Sequence, residues 1–151
     1  MSRARGLFLA GLLMLGSCGV FVETGDASPV SVKSKESGMW MTIGERRFSI
    51  TLANNDAARA LVVLLPLTLD MTELNGNEKY AKLPRRLPTN TERSGTIRSG
   101  DLMLYGSGTL VVFYLTFDSP YSYTRLGWVD DPAGLARELG GSGVRIEFSA
   151  D

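Results

Sequence analysis

The sequence predicts a mainly β domain, a closed barrel of about eight short strands capped by two short helices. Three observations lead there. Seventeen glycines and six prolines in 151 residues demand many turns, and therefore short elements. Runs of alternating apolar and polar residues recur from Met39 to Phe148. Only two windows suit a helix, and so many short strands leave no exposed edge when the sheet closes on itself.

The elements follow in order. Met39, Met41 and Ile43 alternate with Trp40 and Thr42, and Phe48, Ile50 and Leu52 alternate with Arg47, Ser49 and Thr51. The Gly44-Glu45-Arg46 link joins them as a hairpin. Asn54 or Asn55 caps a helix over Asp56 to Leu64, because a short side-chain oxygen accepts from free N–H groups of the first turn. Pro66 stops that helix. Leu67 to Met71 is a strand, followed by a polar turn at Asn75-Gly76-Asn77 that runs into Glu78, Lys79 and Tyr80. Residues 83–100 read as a long irregular loop bent at Pro84, Pro88 and Gly95. Asp101 to Tyr105 and Thr109 to Phe117 are strands around a tight turn at Gly106-Ser107-Gly108. Ser119 to Tyr123 is an aromatic loop leading into a strand from Thr124 to Val129. Asp131-Pro132 opens a second helix, and Gly140 ends it as a left-handed stop. Val144, Ile146 and Phe148 close the domain as a strand.

Ahead of the domain stands an export signal. Arg3 and Arg5 precede an apolar run from Leu7 to Leu15, too short to span a bilayer, which takes ~20 apolar residues. Leu15-Gly16-Ser17-Cys18 resembles the bacterial lipobox, in which the signal is cut before a cysteine that carries lipid. Residues 1–17 are thus read as a lipoprotein signal, 18–38 as a lipid-anchored polar tether and 39–149 as the barrel domain. The protein is expected to be exported and held by its lipid at a membrane of the bacterial cell envelope.

Composition narrows the chemistry. There is no histidine, which removes imidazole metal sites and Ser-His or Cys-His catalysis. Cys18 is the single cysteine, so the mature domain has neither a disulfide nor a thiol nucleophile. Taking Arg3 and Arg5 from the 16 basic residues leaves 14 against 16 acidic ones, without the basic excess of a nucleic-acid binder. No catalytic residue, metal, cofactor or nucleic-acid partner is assigned.

Six runs, in order, resemble the bacterial family of small cyclophilin-like β-barrel proteins. They are Leu65-Pro66-Leu67-Thr68-Leu69, Leu74-Asn75-Gly76-Asn77-Glu78-Lys79-Tyr80, Leu87-Pro88-Thr89-Asn90, Gly100-Asp101-Leu102-Met103-Leu104-Tyr105-Gly106, Tyr121-Ser122-Tyr123-Thr124-Arg125-Leu126-Gly127 and Asp130-Asp131-Pro132. The resemblance implies a cyclophilin-like barrel with two helices and fixes no activity. Prolyl isomerases of that fold use an arginine, a phenylalanine and a glutamine on one face, with a histidine in the proline pocket. The Phe-Met-x-Gln-Gly-Gly-Asp run of those enzymes is missing here, as is any histidine.

Six residues are candidates for one polar-aromatic ligand cleft: Asn75, Glu78, Tyr80, Tyr121, Tyr123 and Arg125. Asn75, Asn77 and Glu78 offer amide and carboxylate groups, although Asn-Gly also suits a simple turn and Glu78 can answer Lys79. Tyr121 and Tyr123 lie where core packing is less obliged, whereas Tyr114 reads as core with its hydroxyl on one partner. Arg125, two residues past Tyr123, can hold a carboxylate or pair with Asp130 or Asp131. Asp101 reads as a turn residue or an acid. The first functional reading is a non-catalytic module for a small molecule or peptide. The alternative is a peptidyl-prolyl isomerase-like or other enzyme of unknown reaction.

Overall fold

A computed structural model describes residues 38–151; the expected export signal, Cys18 and the expected tether up to Ser37 lie outside the described residues. The strands are β1 (Gly38–Ile43), β2 (Arg46–Leu52), β3 (Leu67–Leu74), β4 (Glu78–Lys82), β5 (Glu92–Ile97), β6 (Asp101–Tyr105), β7 (Thr109–Phe113), β8 (Phe117–Val129) and β9 (Val144–Ala150), with helices α1 (Asp56–Val63) and α2 (Leu135–Leu139). Eight strands form an antiparallel ring in the order β2-β1-β9-β3-β4-β7-β6-β8, and β8 pairs back onto β2. The sheet therefore closes, and β5 lies outside the ring on β8 alone.

The closing seam has a specific chemistry. Leu52 pairs with Gly127 there, and a Cβ on Gly127 would collide with the Thr51 carbonyl oxygen. Only glycine lets the two backbones approach that closely. One residue past the seam, the Asp130 carboxylate accepts hydrogen bonds from the hydroxyls of Ser49 (2.6 Å) and Thr51.

Period-two alternation fills the barrel. Met39, Met41, Phe48, Ile50, Leu69, Met71, Leu102, Leu104, Leu110, Val112, Leu126, Ile146 and Phe148 belong to one buried cluster. Leu61 of α1 and Leu135 and Leu139 of α2 join the same cluster. Asn55 starts α1, its Oδ1 accepting from the Ala58 N–H at 2.8 Å. The same side chain donates from Nδ2 to the Arg125 carbonyl at 2.7 Å, so the cap also ties α1 to β8.

Five expectations need correction. The run Thr109 to Phe117 is not one strand, because β7 ends at Phe113 and Phe117 opens β8. Residues 83–100 are not wholly irregular, because 92–97 form β5. The segment 119–123 is strand rather than loop. β5 covers it, and its register slips between Arg93 and Gly95, opposite Pro120 and Tyr121. Proline has no N–H for a ladder, so a bulge is where a strand tolerates it. The second helix starts only at Leu135, after Asp131 has closed a turn by accepting from the Ala133 N–H at 3.0 Å. Gly140 does cap it, but with extended backbone (φ −60°, ψ 146°) rather than left-handed.

β6 and β7 bury both faces. Between the inward Leu102, Leu104, Leu110 and Val112, the residues Met103, Val111 and Phe113 point outward. Outside the barrel they form a second cluster with Ile97 and Tyr123, against which Tyr80 and Phe117 pack.

Candidate functional site

That outer cluster floors a cleft of about 450 Å³. One wall is the turn after β3 and the outward row Glu78, Tyr80 and Lys82 of β4. The other is the first half of β8, Phe117 to Tyr121 with Tyr123, and Tyr105 and Thr109 close the end. The aromatic packing is defined: the Tyr123 ring meets Phe113 edge-on at 5.5 Å between centroids and Tyr105 at 5.9 Å. Such tilted pairs hold ring orientations through their quadrupoles. Tyr105 and Tyr121 are 52% and 61% exposed, so their rings are available on the surface.

Local geometry sets the polar groups. Asn75 and Gly76 both have positive φ, 57° and 68°, as a tight hairpin turn requires. The turn leaves Asn77 Oδ1 buried with no hydrogen-bond partner among the described residues. Glu78 follows, only 9% exposed, and its carboxylate likewise has no hydrogen bond or ion pair among the described residues. Its carboxyl is held above the ordinary carboxylate range, first by loss of water on burial and second by the charge of Glu73. Burial, then the charge of Glu78, raises the Tyr123 phenol as well.

Five of the six residues singled out in the sequence therefore line one cleft: Asn75, Glu78, Tyr80, Tyr121 and Tyr123. The model of the cyclophilin-like family matches residues 41–149. The chain belongs to the cyclophilin-like family. No curated protein and no solved structure matches it.

Arg125 stands apart from the cleft of this cyclophilin-like barrel. It shares an outward row with Tyr123, but its guanidinium turns to the buried Asp101, Nη1 to Oδ1 at 3.1 Å. Neither Asp130 nor Asp131 is its partner. Asp101 also accepts from the Arg98 N–H at 2.9 Å, so it holds the turn ahead of β6 together.

Glu78 does not answer Lys79 either. Adjacent strand residues point to opposite faces, so Glu78 goes out and Lys79 goes in. Lys79 is fully buried and pairs with Glu73, its cross-strand partner. The Tyr114 hydroxyl donates to the other Glu73 oxygen at 2.8 Å, and burial followed by that bond pushes the phenol up to about 12. Tyr114 is thus a core residue with one hydroxyl partner, as the sequence suggests. Cleft residues that the sequence did not single out include Lys82, Tyr105, Thr109, Val111, Phe117 and Asp118. The outward period of β4 and β7 carries the signal for Lys82, Thr109 and Val111; for Asp118 the pairing with β5 was needed, where Thr96 donates to its carboxylate at 2.8 Å.

Proposed function

We propose that this cyclophilin-like domain is a non-catalytic binding module that takes a small molecule or short peptide in the outer cleft. The observation that carries the reading is an aromatic cleft of about 450 Å³ whose buried carboxylate, Glu78, has no partner among the described residues. Its volume falls in the range of ligand sites, and its few polar groups sit on an apolar floor, as ligand sites are built. The sequence offers no histidine and no cysteine beyond Cys18 for covalent or imidazole chemistry. A screen of aromatic and proline-containing dipeptides by amide chemical shifts tests it. Shifts gathered on residues 75–80 and 117–123 support it, and shifts gathered elsewhere overturn it. Catalysed cis–trans exchange of a proline peptide would move the protein to the isomerase reading.

The same proposal places the domain at a bacterial envelope membrane through lipid on Cys18. The support is the ordered series of Arg3 and Arg5, the apolar run, and Leu15-Gly16-Ser17-Cys18. Cys18→Ala should leave unprocessed precursor and abolish labelling by a fatty-acid analogue; labelling that survives the substitution overturns the anchor.

A further inference from the structure

The cleft presents an unmet acceptor. Glu78 lines it, is 9% exposed and is unpaired among the described residues. An ionised carboxylate cannot donate, so what completes it must bring N–H or O–H donors. An uncompensated buried carboxylate is costly unless a cation joins it. We infer that the cleft selects ligands bearing a cationic nitrogen, an ammonium or guanidinium on an apolar body, with the Glu78 carboxylate accepting its N–H donors. The inference rests on the binding reading of this cleft.

The surroundings fit that occupant. Tyr80 and Tyr121 bring aromatic rings to the same cleft, and cations are attracted to the faces of such rings by the ring quadrupole. The charges around Glu78 leave it uncompensated. Lys79, its chain neighbour, is turned inward and taken by Glu73. Lys82 lines the cleft from four residues along the strand, about 13 Å away at ~3.3 Å per residue. Asp118, which also lines the cleft, and Glu73, whose charge acts on Glu78, carry the same sign as Glu78 and do not compensate it. Bound cation would favour the ionised carboxylate, so binding and Glu78 ionisation are linked.

Three probes of one shape test it: phenethylammonium, 2-phenylethanol and 3-phenylpropionate, titrated while the amide shifts of residues 75–80 and 117–123 are followed. The cation should bind about tenfold more tightly than the alcohol, the worth of one charge-assisted hydrogen bond, and the propionate more weakly still. Glu78→Gln should erase the preference for the cation. As a second measurement on the unaltered protein, affinity for phenethylammonium should rise as pH climbs through the raised Glu78 value and the carboxyl ionises. If the alcohol or the propionate binds the cleft as tightly as the cation, or the pH profile is flat, the charge selection is wrong while the binding reading stands. If none of the three shifts the cleft residues, both fall.

Discussion

Replacing Glu73 by glutamine should destabilise this barrel more than replacing the lysine it pairs with. Lys79 is 0% exposed, and besides Glu73 its Nζ has, among the described residues, only the Gly141 carbonyl at 3.3 Å and the Tyr114 ring at 5.5 Å to the centroid. Glu73→Gln leaves that ammonium without a counter-charge, and breaking a buried pair from one side costs about 3–5 kcal/mol. Lys79→Met strands the other partner, but Glu73 keeps the Tyr114 hydroxyl and a side chain that is 25% exposed. Water reaches it, so the loss should be about 1–3 kcal/mol. The double variant removes both charges and should cost less than the two singles together by at least about 1 kcal/mol. Urea unfolding of the four proteins at neutral pH, read at constant slope, measures all three quantities. Equal costs for the two singles, or simple additivity, would refute the reasoning. The pH dependence has a definite sign. Burial opposes ionisation of Glu73, but its hydrogen bonds from Lys79 and Tyr114 outweigh that and hold it below its ordinary 4.5. Its contribution is therefore complete above about pH 4.5 and lost as pH falls through the lower folded value. Glu73→Gln should flatten that acid limb.

Glu78 has the opposite sign: its carboxyl is raised above 4.5, so ionising it opposes folding as pH rises through the folded value. Glu78→Gln should raise the melting temperature at neutral pH, with the gain vanishing below about pH 4.5; a loss at neutral pH would contradict the desolvation argument. Arg125→Ala removes the counter-charge of buried Asp101, and since the arginine is 43% exposed the expected loss is about 1 kcal/mol, without weakening cleft binding. Binding that drops with Arg125 would return it to the site. Gly127→Ala puts a methyl group against the Thr51 carbonyl oxygen at the closing seam, and should cost about 3 kcal/mol or more by urea unfolding.

The barrel was legible in the sequence because strand patterning is local. Met39 to Ile43 and Phe48 to Leu52 show an inward row without any knowledge of their neighbours, and Asn55 before Asp56 announces a cap. The turn at Asn75-Gly76 is equally local, since positive φ at consecutive positions selects for those residues. Partnership was not legible. A sequence argument offers Arg125 two carboxylates, Asp130 and Asp131, and only the pairing of β6 with β8 brings it to Asp101 instead. Residues 119–123 look like a loop because Pro120 breaks the pattern, and they are a strand because β5, far earlier in the chain, supplies a ladder with a bulge that accommodates it. Residue types and their alternation set which side chains face inward, and with them the barrel and one aromatic edge of the cleft. Which charge meets which, and therefore that Lys79 is consumed by Glu73 while Glu78 is left unpaired among the described residues at the cleft, was decided by tertiary structure, because ion pairing depends on distance across strands rather than on separation along the chain.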